Sequence, residues 1–74
     1  MQFTTHGNGN GLNDLYILPE NPSEMEKICD WLIDNEYAYA IQVSDVKGND
    51  WYGKTFINIP FGEDLQKHLI GLMA

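Results

Sequence analysis

The sequence predicts an α+β fold: a two-layer domain in which a four-stranded antiparallel sheet carries two helices on one face, in the order ββαββα. Three observations predict it. Residues 37–46 and 51–59 alternate apolar and polar side chains on either side of Gly48-Asn49-Asp50, which marks a hairpin. Residues 22–35 repeat apolar side chains at helical spacing behind a helix-start signal. A second helical stripe follows Pro60, so strand–strand–helix occurs twice, over 1–36 and 37–74, as a repeat of pattern without identity of sequence.

Each element has a local cause. Phe3, Thr4 and Thr5 are β-prone, and residues 14–18 (Asp-Leu-Tyr-Ile-Leu) read as a second short strand. Between them, His6-Gly7-Asn8-Gly9-Asn10-Gly11 reads as a long hairpin tip, because Gly and Asn tolerate positive φ. Asn21 can cap the first helix, Pro22 suits its first position, and Glu24 stands three residues after the cap. Met25, Ile28, Cys29, Leu32 and Ile33 then form the stripe that should face the core. In the second hairpin, pairing Lys47 with Trp51 sets Val43 opposite Thr55, Ile41 opposite Ile57 and Tyr39 opposite Ile59. That register gathers the aliphatic side chains on one face, and a slip of one residue would mix the faces. The last helix is expected over residues 62–73, with Glu63 and Asp64 at its positive end and Phe61, Leu65, Leu69, Leu72 and Met73 buried. The sheet face away from the helices is left for solvent or a partner.

Seventy-four residues make one domain, with no room for a second. Lys supplies all 4 basic residues against 11 acidic ones, a formal charge of −7, and Arg is absent. Such a chain lacks the basic face that phosphate contacts require, so direct nucleic-acid binding is excluded, as is an anionic membrane surface. No apolar run is long enough to span a bilayer, and residues 1–6 lack the basic-then-apolar pattern of a signal peptide. A single cysteine, Cys29, rules out an internal disulfide and fits a reducing compartment, so a cytoplasmic location is expected.

Residues that might carry catalysis are read first as structure. Gly7, Gly9 and Gly11 lead into a strand and are not followed by Lys or Ser/Thr at the spacing of a phosphate-binding loop. Cys29 belongs to the helix stripe and reads as a small core hydrophobe rather than a nucleophile. His6, Cys29 and His68 have no metal-ligand spacing, and the neighbouring Glu63 and Asp64 are accounted for by the helix dipole. No catalytic residue, metal or cofactor is therefore expected.

The residues that point outward are acidic and aromatic. Glu26, Asp30 and Asp34 recur every four residues, one ridge with a step of about 6 Å along the helix. Glu20, Glu24 and Glu36 extend it at the ends, and Lys27 alone offsets it. This is either a solubilising face or a surface complementary to a basic groove, including a channel that normally takes a nucleic-acid strand. Trp31 stands off the centre of the same helix stripe, and Tyr52 and Phe56 fall on the sheet face opposite Ile57 and Ile59. Aromatic side chains in such places serve as interface anchors unless a loop covers them. The partner-binding set expected from sequence is thus Glu26, Asp30, Trp31, Asp34, Glu36, Tyr52 and Phe56.

In size, acidity and strand–helix layout, carried by the Glu26–Asp30–Asp34 ridge and the hairpin over 37–59, the chain resembles the small anti-CRISPR proteins of phages and mobile elements. Those inhibitors share no signature, so no residue role transfers from them. The resemblance implies a non-enzymatic inhibitor that binds a basic nucleic-acid-processing complex, a CRISPR effector, and blocks target DNA or nuclease recruitment. The second class open to the chain is an adaptor or assembly subunit, homodimeric through the free sheet face or an edge strand.

Overall fold

The computed structural model describes residues 1–7, 9 and 11–73, the side chain of Met73 excepted. The elements are β1 (Gln2–His6), β2 (Asp14–Leu18), α1 (Pro22–Asp34), β3 (Ala40–Val43), β4 (Thr55–Ile59), a 3₁₀ turn (Glu63–Leu65) and α2 (Gln66–Met73). The order is ββαββα, as the two hairpin-plus-helix patterns predict. All three strand pairings are antiparallel, and the sheet runs β1-β2-β4-β3. The hairpins therefore meet through their second strands, and α1 crosses from β2 to β3 with β4 filling the space between them. Leu15 faces Ile59, Tyr16 faces Asn58 and Ile17 faces Ile57. Tyr16–Asn58 is the middle of the three pairings that join the two hairpins.

This strand order follows from burial. β2 and β4 carry Leu15, Ile17, Ile57 and Ile59, all essentially inaccessible, and such strands belong in the centre of the sheet. Ile28 and Leu32 of α1, Leu65 of the 3₁₀ turn and Leu69 of α2 close over them, so both helices lie on one face. Each such side chain contributes about 1.5–3 kcal/mol by leaving water. The edge strands contribute less: Phe3 packs against this core, but Ile41 and Val43 of β3 are 54% and 61% exposed.

The second hairpin has the register expected, with Ile41 opposite Ile57 and Val43 opposite Thr55. Its ladder is shorter than the alternation suggests. After the Ser44 N–H bond to Lys54 O (3.0 Å) and the Gly53 N–H bond to Ser44 O (2.9 Å), the chain leaves the sheet. Gly48 and Gly53 take φ of 87° and 77°, and the Asn49 side chain accepts from Trp51 N–H at 2.8 Å. Trp51 and Tyr52 therefore lie in a turn-rich loop rather than in the strand.

Helix α1 begins as its sequence dictates. Asn21 Oδ1 accepts from Glu24 N–H at 2.8 Å. Glu24 Oε1 accepts from Glu20 N–H at 3.1 Å, one residue earlier than the reciprocal bond of a capping box. Its end is a Schellman arrangement: Tyr37 N–H reaches Leu32 O (2.9 Å) and Glu36 N–H reaches Ile33 O (3.1 Å). Glu36 occupies the left-handed position of that motif at φ 60°, where Gly is the usual residue.

The last helix differs from expectation at its start. Phe61 has φ 57° and is 50% exposed, so it belongs to the turn and not to the buried stripe. Its N–H is held by Asp14 Oδ1 at 3.0 Å, and Glu63 and Asn13 exchange two further bonds across the same junction. Leu65 and Leu69 are buried and Leu72 is half-buried, as the stripe predicts. The expected burial of Met73, and the parts of the glycine loop at Asn8 and Asn10, lie outside the described residues.

Candidate binding surfaces

Two surfaces emerge, one on α1 and one on the sheet face opposite the helices. On α1 the buried side chains are Ile28 and Leu32, flanked by the half-buried Met25, Cys29 and Trp31. Glu26, Asp30 and Asp34 stand on the outer side and are exposed. Among the described residues the one ion pair joins the Met1 ammonium to Glu24 at 3.2 Å. Neither the ridge carboxylates nor the four Lys side chains form an ion pair among the described residues. Glu24 is correspondingly removed from the ridge: it is half-buried and engaged at the helix start.

Ile33, expected in the core stripe, is 59% exposed instead. The reason is angular. At 100° per residue Ile33 lies about 120° from the Ile28–Leu32 centre, at the flank of the ridge beside Glu26 and Asp30. Tyr37, just past the helix end, is also exposed. The outer face of α1 is therefore a mixed ridge of three carboxylates and a large aliphatic side chain, ending in Glu36 and Tyr37.

Trp31 is only half available as an anchor. Its ring stacks between Tyr37 (centroids 5.6 Å, planes 14° apart) and His68 of α2 (6.5 Å, 21°), and it packs against the core. It cements the two helices, and His68 is exposed on α2 with this stack as its neighbour. Cys29 lies beneath the same face. Burial pushes its thiol above the ordinary value, a hydrogen bond with Tyr39 opposes this, and the Asp30 carboxylate adds to the rise. A thiol shifted upward is a poor nucleophile, in keeping with its place beside the core.

The far face of the sheet is not simply open. A diagonal of rings crosses it: His6 to Tyr16 (4.6 Å), Tyr16 to Phe56 (5.3 Å) and Phe56 to Trp51 (5.9 Å). Trp51 reaches there because the β3–β4 loop folds back over the sheet, and its indole N–H donates to Gln2 Oε1 on the distant edge strand at 3.2 Å. This roof buries Phe56 to 9% exposure, which corrects its sequence reading as an exposed anchor. Tyr52, on the same loop, does remain exposed. Between the loop and the sheet lies a groove of about 880 Å³, bordered by Tyr16, Gln42, Asp45, Asp50 and Trp51.

Sequence reasoning named Phe56 and Tyr52 but missed His6, Tyr16 and Trp51 as members of this face. Strand alternation alone puts Tyr16 and Phe56 together once β2 and β4 are known to be neighbours. The fold-back of Trp51 has no comparable signal, since it depends on a long-range bond to Gln2. Among the described residues no three His, Cys, Asp or Glu side chains gather closely enough to hold a metal ion, and no helix is long and apolar enough to cross a membrane. No family model, curated protein or solved structure matches the chain.

Proposed function

We propose that the chain is a non-enzymatic inhibitor that binds a basic, nucleic-acid-handling protein through the outer face of α1, most concretely a blocker of a CRISPR effector complex. The observation that carries this reading is the exposed Ile33 at the flank of the Glu26–Asp30–Asp34 ridge. A face that serves only solubility has no use for a large exposed aliphatic side chain beside like charges, whereas an interface combines an apolar contact with charges that steer and select. The −7 charge, without Arg and without local ion pairing of the ridge, supplies the long-range attraction to a basic groove. Glu36 and Tyr37 prolong this surface past the helix end.

The test compares what the unmodified chain and an Asp30→Lys/Asp34→Lys variant capture from cells carrying CRISPR systems. Loss of a basic nucleic-acid-processing complex by the variant, with an unchanged unfolding transition, supports the reading. Equal capture by both proteins removes the ridge from it. Charge reversal at two exposed positions should cost little in stability, because surface changes of this kind stay within about 0.5 kcal/mol.

A second reading has its own observation. β3 is an edge strand with no charged residue and no Pro, and its Ile41 and Val43 are more than half exposed. Unprotected edges of this kind pair with other strands. Self-association through β3 predicts a mass that rises with concentration and returns to the monomer value on Ile41→Lys substitution. A constant mass across concentrations overturns this second reading.

A further inference from the structure

We infer that the groove between the β3–β4 loop and the sheet receives an arginine side chain from an extended segment of a protein partner. The groove is complementary to a guanidinium group in shape and charge. The floor and wall are aromatic: Tyr16, the buried Phe56 beneath them, and Trp51 held in place by its bond to Gln2. Asp45 and Asp50 border the same space, and neither has an ion-pair partner among the described residues. The remaining polar lining is Gln2, Thr4, His6, Gln42, Ser44 and Asn49; all but His6 bring a side-chain oxygen, those of Gln2 and Asn49 already accepting from Trp51, and the His6 ring stacks against Tyr16 at the groove edge. No Lys borders the groove, although Lys47 and Lys54 belong to or adjoin the same loop.

A planar cation with several N–H donors fits the rings, the two carboxylates and the side-chain oxygens together. Guanidinium stacks on aromatic faces and forks onto carboxylates, which an ammonium does less well. A nucleic-acid strand would find rings to stack on but two carboxylates facing its phosphates. A second copy of this chain offers no Arg at all. The groove volume, about 880 Å³, accommodates a side chain together with the backbone that bears it. The groove lies across the sheet from α1, so a partner held by the acidic ridge needs a separate arm to enter it. Only the biological identity of that arm rests on the inhibitor reading; the chemistry of the groove stands on its own residues.

The experiment uses the isolated full chain and needs no partner. The tripeptide acetyl-Ala-Arg-Ala-amide and its citrulline counterpart, equal in shape but uncharged, are titrated while ¹⁵N–¹H NMR spectra are recorded. The expected result is saturable shifts at the Trp51 indole and the Gln2 side-chain amide, with the citrulline peptide weaker by about 5- to 10-fold. Trp51→Ala should weaken the arginine peptide by a similar factor, read at the Gln2 side-chain amide. Asp50→Asn should weaken it about threefold. The inference is overturned by equal binding of the two peptides, by no saturable shift up to ~10 mM, by shifts confined to α1, or by a short oligothymidine that produces the same shifts at equal affinity. The citrulline comparison is made on the unmodified protein, so it holds whatever the variants do to folding. Failure of the α1 charge reversal to affect partner capture would leave this result untouched.

Discussion

Gly62 and Gly71 offer the same substitution with opposite outcomes. A Cβ on Gly62 would lie 2.6 Å from Ile59 Cγ2, 2.8 Å from Ile59 Cβ and 2.9 Å from Ile59 O. Ordinary contact begins near 3.4 Å, so the methyl and its neighbour must part by about 0.8 Å. Ile59 is 1% exposed, pairs with Leu15 in the centre of the sheet, and accepts the Gly62 N–H at 3.1 Å. It cannot give without disturbing both. The backbone at Gly62 (φ −90°, ψ 8°) is accessible to alanine, so the penalty is steric. Overpacking of this degree costs about 2–3 kcal/mol. A domain of this length holds only about 4–11 kcal/mol in total. Gly62→Ala should therefore lower the melting temperature by roughly 10–20 °C. Gly71 lies within α2 with nothing within 4 Å of its added Cβ, so Gly71→Ala should stabilise by about 0.5 kcal/mol through helix propensity alone. Urea melts followed by circular dichroism read both changes. Gly62→Ala within 0.5 kcal/mol of the unmodified chain, or a drop caused equally by Gly71→Ala, would refute the packing of the last turn against β4.

Other expectations follow from single features. Glu36→Gly relieves a left-handed residue at the end of α1 and should stabilise by about 1 kcal/mol in the same melts. Asn21→Ala removes the acceptor for Glu24 N–H and should cost about 1 kcal/mol. Leu32→Ala deletes a fully buried side chain and should cost about 2–5 kcal/mol, enough to leave much of the chain unfolded. Because burial holds the Cys29 thiol above its ordinary value of 9.0, its thiolate fraction at pH 8 is low, and it should react with a disulfide reagent more slowly than free cysteine. The folded chain then binds that proton more tightly than the unfolded chain. This contribution to stability is complete below pH 9.0 and is lost as pH rises through the raised value, with Tyr39 acting in the same direction from its ordinary 10.0. Cys29→Ala should flatten the alkaline fall measured in melts across this range.

Much of the fold was legible because it is written in short-range chemistry. The Asn21–Pro22–Glu24 start, the Ile28–Leu32 stripe and the Ile41–Ile57 register each follow from spacing within a dozen or so residues. The strand order is not local. β2 and β4 are neighbours in a core where Leu15, Ile17, Ile57 and Ile59 are buried together; apolar content alone does not announce this, since β3 (Ala-Ile-Gln-Val) is no less apolar than β4. Ile33 and Phe61 mislead for different reasons. Ile33 fits a stripe counted at i+8 but falls outside the narrow sector that the sheet covers, and Phe61 precedes a turn that a helical reading absorbs. The acidic ridge was visible as a periodicity, whereas the aromatic groove depends on the loop over residues 45–53 folding across four strands. Phe56 was correctly assigned to its sheet face, but its cover by Trp51 belongs to tertiary structure.

The central claim is that α1 meets a basic partner through Glu26, Asp30, Asp34 and Ile33. Its most direct test is the affinity of the captured partner for the unmodified chain and for the Asp30→Lys/Asp34→Lys variant, each measured from low to high salt. The account predicts tight binding by the unmodified chain that weakens steeply above about 0.1–0.2 M salt, where screening shortens to below 10 Å. It also predicts weak binding by the variant with little salt dependence. Affinities that are equal for the two proteins and indifferent to salt would contradict it.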